Sequence, residues 1–99
     1  MNKNLYLSPN FSKKKRSNSK IKFIIIHYTG MQSERVSLNR LKDLKSKVSC
    51  HYFITRRGEI LRMVDDNKVA WHAGKSRWRS KQNLNNQSIG IELQNKGHN

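Results

Sequence analysis

Cysteine, proline and acidic residues are all scarce in this 99-residue chain: it has one Cys, one Pro and six Asp plus Glu. The lone cysteine, Cys50, excludes an intramolecular disulfide, so the sequence carries no mark of an oxidising compartment. Long apolar runs are missing too. The best of them, Ile21-Lys22-Phe23-Ile24-Ile25-Ile26, is about six residues long and interrupted by a lysine, against the roughly 20 that a membrane-spanning helix needs. No apolar h-region follows the basic cluster Lys13-Lys14-Lys15-Arg16 before that run, and no N-terminal cysteine offers lipidation, so neither a secretory signal nor a membrane span is read. A cytoplasmic location is therefore expected, with the periplasm as the alternative. A chain of this length is one domain at most and buries only roughly 60–65% of its unfolded surface, so its core is thin.

The shortage of acids leaves 21 Lys and Arg and a formal charge of +15. Such an excess favours polyanionic partners and fast association without choosing a fold. Residues 1–22 hold seven basic residues and no acid, and residues 23–99 hold fourteen basic and six acidic, so the excess runs along the whole chain. A nucleic-acid binder stacking bases on Tyr52, Phe53, Trp71 and Trp78 is one reading of that charge. No RNA-binding signature accompanies it, and no specific nucleic acid is expected as a partner.

Residues 1–20, polar, Ser- and Asn-rich and basic, with Pro9, read as a flexible or loosely docked arm. Residues 21–29 read as a central strand whose β-branched run is buried on both faces, with His27 sharing a face with Phe23 and Ile25. Between Ser33 and Val48, Leu38, Leu41, Leu44 and Val48 recur at helical spacing among basic residues, an amphipathic helix. Residues 50–55 and 60–64 read as a hairpin across Arg56-Arg57-Gly58-Glu59. After a turn at 65–68, residues 73–87 read as one long loop, and 88–94 as a last strand with Ile89, Ile91 and Leu93 on one face and Gly90, Glu92 and Gln94 on the other.

A histidine leaving the end of a buried strand suits a zinc ligand, and a carboxylate near the end of another apolar strand suits a zinc-site general base. His27, in Phe23-Ile24-Ile25-Ile26-His27-Tyr28-Thr29-Gly30, is the first. Downstream come Ser49-Cys50-His51-Tyr52-Phe53, then Trp71-His72-Ala73-Gly74 with Ser76 and Trp78, then Leu84-Asn85-Asn86-Gln87-Ser88-Ile89-Gly90-Ile91-Glu92-Leu93. Taken in that order, these segments resemble the zinc-dependent N-acetylmuramoyl-L-alanine amidases of the type 2 amidase and peptidoglycan recognition protein family, in particular the bacterial branch acting on anhydro-muropeptides. The resemblance runs from about Leu7 to the last residue.

The resemblance implies an α/β fold with a mixed central β-sheet flanked by helices, and hydrolysis of the amide bond between N-acetylmuramic or anhydromuramic acid and L-alanine in peptidoglycan or muropeptides. It implies that His27 binds zinc and that Glu92 is the general base that takes the proton of a metal-activated water. It places Trp71, His72 and Ala73 along the substrate groove, and Asn85 and Asn86, with Arg77 or Arg79, against the peptide stem and its carboxylates. Cys50 stands where some relatives have a catalytic tyrosine. A nucleophilic Cys50 paired with His51 is disfavoured because adjacent strand residues point to opposite faces, so His51 and Tyr52 read as structural.

Catalytic zinc normally has three protein ligands. The family's second histidine and its Asp or Cys lie well beyond the Glu92 strand, in a segment absent here, and His98 follows Glu92 too closely to stand in for them. The expectation is thus an arm over 1–20 and a partial amidase domain over 21–99, truncated at its C-terminal side, with no hydrolysis expected from it alone. A non-catalytic peptidoglycan-binding module is the alternative. The sequence leaves the oligomeric state open.

Overall fold

The computed structural model describes residues 5–72, 77–78, 81–82 and 84–95. Its elements in chain order are β1 (Phe11–Lys15), β2 (Phe23–Tyr28), α1 (Glu34–Lys42), β3 (Tyr52–Ile54), β4 (Ile60–Arg62), β5 (Lys68–Ala70), β6 (Arg77–Trp78), β7 (Lys81–Gln82) and β8 (Ser88–Leu93). The main sheet has the order β2-β8-β3-β4, with β8 parallel to both neighbours and β3 antiparallel to β4. This is the expected mixed α/β architecture. Among the described residues no helix is long and apolar enough to cross a membrane.

One face of the sheet packs on α1. Leu41 joins Phe53, Cys50 and Met63 in the core, with Tyr6, Leu38, Val48 and Leu61 around it. The helix starts at Ser33, whose Oγ accepts the amide of Val36, and ends sooner than the apolar spacing suggests, at Lys42. Asp43 breaks it: its backbone is extended, its carboxylate accepts the Lys45 amide, and a single 3-10 turn over Leu44–Ser46 leads to Lys47 at φ 56. Local side-chain acceptors offer the backbone an alternative to helix, which periodicity alone does not register.

The opposite face corrects the reading of β2 as a central strand buried on both sides. β2 is an edge of the described sheet, and Ile24, Ile26 and Tyr28 are 68%, 56% and 64% exposed. Register places Ile89, Ile91 and Leu93 of β8 beside them, so an apolar sheet surface lies largely open to solvent. Apolar residues on both faces are the pattern of a parallel sheet covered twice, and here one covering layer is in place.

The arm, read as flexible or loosely docked, is folded onto the domain over its described part. β1 pairs antiparallel with β5, and the amides of Tyr6 and Ser8 donate to the carbonyls of Arg62 and Met63. Asn10, fully buried, donates from Nδ2 to the carbonyls of Asp43 and Val48, both at 2.8 Å, while Ser8 donates to that of Leu41. These polar residues satisfy carbonyls that the end of a helix leaves without partners, so a composition that looks disordered is consumed by capping. The long loop expected over 73–87 contains, where described, the short antiparallel pair β6–β7 and a 3-10 turn over Leu84–Gln87.

Candidate active site

Parallel pairing of β2 and β8 sets His27 directly opposite Glu92, and β3 adds Phe53 on the other side of Glu92. Partners in neighbouring strands project to the same face about 4.8 Å apart, so two residues 65 positions apart in sequence stand side by side at the carboxyl ends of their strands. The chain turns away beyond them. Gly30, at φ 62, reverses direction after β2, and Thr29 Oγ1 donates to the Asn95 carbonyl, tying the ends of β2 and β8 together. His27 and Glu92 line a cavity of about 240 Å³, closed by α1 through Ser37 and Arg40 and by His72.

His72 follows β5, and its ring lies 5.2 Å from that of His27 in a T-shaped arrangement, with His72 Nδ1 3.0 Å from His27 Nε2. Its other nitrogen, Nε2, is 2.8 Å from Ser88 Oγ, and its amide donates to Asn85 Oδ1. The ring rests on bare backbone: a Cβ at Gly90 would fall 2.4 Å from His72 Cγ. Glycine in a strand interior marks this kind of close approach. Burial pushes the His72 imidazolium down to about 3, helped by the neighbouring His27, His51 and Arg16, and burial also lowers His27. Both imidazoles are neutral at physiological pH.

Glu92 is half-buried, and burial raises its carboxyl above the ordinary range while the Arg40 guanidinium opposes the rise. A carboxylate raised in this way takes up a proton more readily than one in open water. Arg40 went unsuspected in the sequence because it looks like one more solvated residue of a basic helix.

The remaining expected residues divide. Trp71 is turned toward β1, where its Nε1 donates to Ser12 Oγ, and its amide donates to Ser49 Oγ. Asn85 holds the backbone of His72 and accepts from Arg16 through its own carbonyl. Asn86 is exposed and lines a separate cavity with Lys14, Arg16 and Lys20. Ala73 and Arg79 lie outside the described residues, as does His98, and the side chain of Arg77 is likewise undescribed. His51 is structural: fully buried, its Nδ1 accepts from the Gly90 amide, so its Nε2–H donates to the Lys68 carbonyl. Tyr52 donates to Asp66 on the opposite face of the sheet. Cys50 is fully buried, and desolvation with the Glu92 charge pushes its thiol far up, which removes it as a nucleophile.

Comparison with known proteins decides the family. Residues 17–99 match the N-acetylmuramoyl-L-alanine amidase family. The chain belongs to that family. Among curated members, the N-acetylmuramoyl-L-alanine amidase AmiD of Escherichia coli is 40% identical over 85 residues, 79% of this chain and 30% of AmiD. The 1,6-anhydro-N-acetylmuramyl-L-alanine amidase AmpD of Haemophilus influenzae is 30% identical, over 88% of this chain and 56% of AmpD. The structure of E. coli AmiD in complex with the substrate anhydro-N-acetylmuramic acid-L-Ala-D-gamma-Glu-L-Lys superposes with a TM-score of 0.69 at 38% identity, covering 87% of this chain and 34% of that one. A crystal structure of AmpD superposes with a TM-score of 0.74 at 25% identity, covering 92% and 60%. The chain thus spans between about a quarter and just over half of the length of the curated relatives it matches.

Zinc, which the resemblance implies, finds only part of a site here. A neutral, half-buried imidazole is the right donor chemistry. Among the described residues, however, no group of three or more His, Cys, Asp or Glu could hold a metal ion. The chemistry of His27 fits that of one metal ligand, and the described residues hold no complete donor set around it.

Proposed function

We propose that the complete protein hydrolyses the amide bond between N-acetylmuramic or anhydromuramic acid and L-alanine, and that this chain contributes the general base Glu92 and one metal ligand, His27. The observation that carries the reading is their in-register pairing, with both side chains lining one cavity. Bound zinc supplies electrophilic activation of the carbonyl and of water. The chain's own residues supply the rest. Glu92, its carboxyl raised by burial, accepts a proton at the cavity wall and returns it to the departing amine. Arg40 keeps enough charge near it for the carboxylate to form. Amidase relatives whose structures hold anhydro-muropeptides support that substrate class. Trp71, His72 and Ala73, with Asn85 and Asn86, remain proposed contacts of the substrate groove, His72 being the one that reaches the cavity.

The open apolar surface around Ile24, Ile26 and Tyr28 supports the partial-domain reading, because the longer relatives carry polypeptide that can cover it. A non-catalytic muropeptide-binding module is the second reading, favoured by the incomplete donor set. Zinc content and muropeptide hydrolysis separate the two. The 99-residue chain, dialysed and analysed by atomic absorption, is expected to hold far less than one zinc and to release no peptide, whereas a chimera completed with the remaining polypeptide of AmiD does both. Stoichiometric zinc in the short chain contradicts the ligand assignment.

A further inference from the structure

The His27–His72 contact is one link of a longer chain of hydrogen bonds whose proton positions can be worked out from its far end. Ser88, fully buried, donates its hydroxyl to the Leu84 carbonyl at 2.7 Å. A hydroxyl carries one proton, so toward His72 the Ser88 oxygen can only accept, and the 2.8 Å contact must be donated by His72 Nε2–H. A neutral imidazole has one N–H, which leaves His72 Nδ1 as a lone pair. That lone pair faces His27 Nε2 at 3.0 Å, so His27 Nε2 carries the proton and donates. The remaining nitrogen of His27, Nδ1, has no partner among the described residues on a ring that lines the cavity.

We propose that Ser88 and His72 are positioning residues that fix His27 as its Nε2–H tautomer and thereby present the Nδ1 lone pair as its one ligating atom. The opposite tautomer at His72 would need the Ser88 proton for itself, and Leu84 O would then face an oxygen lone pair at 2.7 Å. The ring cannot rotate out of the relay cheaply. Asn85 Oδ1 anchors the backbone amide of His72, and the face of the ring lies against the Gly90 backbone with no room for even a methyl group between. This explains three features that the proposed chemistry does not use directly: a buried serine at the start of β8, a glycine two residues later, and a histidine that is neither the expected ligand nor the base. Ligating histidines commonly donate their second ring N–H to an outer partner that sets tautomer and orientation, and that partner is usually a carboxylate, a carbonyl or water. Here it is a second imidazole, itself oriented by a serine.

The functional consequence rests on the proposed role of His27, whereas the tautomer does not, and the experiment keeps them apart. Long-range ¹H–¹⁵N correlation of the histidine rings in the 99-residue protein at neutral pH is expected to show both His27 and His72 protonated at Nε2 alone. His27 protonated at Nδ1, or an exchanging mixture, overturns the relay. Ser88→Ala is expected to release both rings into mixed tautomers, and His72→Leu to release His27, while His72→Asn, whose side-chain oxygen stands in for Nδ1 as acceptor, keeps His27 in the Nε2–H form. Unchanged spectra in Ser88→Ala count against the proposal. In a metal-loaded chimera with AmiD polypeptide, Ser88→Ala is expected to weaken zinc binding by about 10- to 100-fold. A relay confirmed by NMR together with zinc binding indifferent to His27→Ala removes the ligand role of His27 instead.

Discussion

Gly90→Ala tests how tightly the site is built. The added Cβ would sit 2.4, 2.5 and 2.7 Å from Cγ, Cδ2 and Nδ1 of His72, inside the distance at which real Cβ atoms are found, so something must move. β8 is clamped between β2 and β3, which leaves the imidazole as the group to go. Its departure breaks the contacts to His27 and Ser88. Overpacking costs about 1–3 kcal/mol and each lost hydrogen bond about 0.5–1.5, offset by about 0.5–1 from the smaller backbone entropy loss of alanine. The net loss is about 1–5 kcal/mol, which for a domain near 100 residues lowers Tm by roughly 5–25 °C. The check is a double-mutant cycle read by thermal or urea unfolding. In a His72→Ala background the same Gly90→Ala change is expected to be neutral or slightly stabilising. An equal cost in both backgrounds refutes the close-packing argument, because the clash would then lie elsewhere.

Other outcomes follow from the same geometry. His72 has its proton affinity lowered to about 3 from 6.5, so between those values the unfolded chain binds the extra proton. Its contribution to stability is therefore full above about 6.5 and is lost as pH falls toward 3, with a slope of up to about 1.4 kcal/mol per pH unit. Urea midpoints across that range should show the slope in wild type and a flatter one in His72→Asn. Asn10→Ala removes the donor to the carbonyls of Asp43 and Val48 and should cost about 1–3 kcal/mol in urea unfolding, where a truly flexible arm would show no change. Ile26→Lys should change the stability of the 99-residue chain by no more than about 0.5 kcal/mol, as for other exposed sites. In the completed chimera the same lysine should cost several times that, and equal effects would mean that nothing covers this face.

What could be read from the sequence was whatever recurs at a fixed period or in a fixed local order. The alternation Ile89, Ile91, Leu93 against Gly90, Glu92 put the glutamate on the face where it stands, and the strand-end histidine was found for the same reason. The pairing that sets His27 beside Glu92 was not legible, since register between parallel strands is written in long-range contacts and not in either strand. What Asn10 and Ser8 bind was not legible, because a polar residue that caps a helix end 33 positions away looks the same in sequence as one that dissolves in water. His72 entered as a substrate contact, and only the space left by Gly90 shows it to be packed against His27. The glycine was the available signal, as a strand-interior glycine announces a close approach without saying what approaches. The exposure of Ile24 and Ile26 was hidden by their own hydrophobicity, since apolar residues on both faces of a strand read as a sheet covered on both sides.

The central claim is that Glu92 is the proton-transferring base of an amidase centre to which His27 contributes a metal ligand. Its most direct measurement is peptide release from an anhydro-muropeptide by the AmiD-completed chimera, made with Glu92→Gln and assayed beside its zinc content. Turnover is expected to fall by roughly 10²–10⁴ with zinc retained in full. Undiminished turnover, or loss of zinc together with activity, would contradict the assignment.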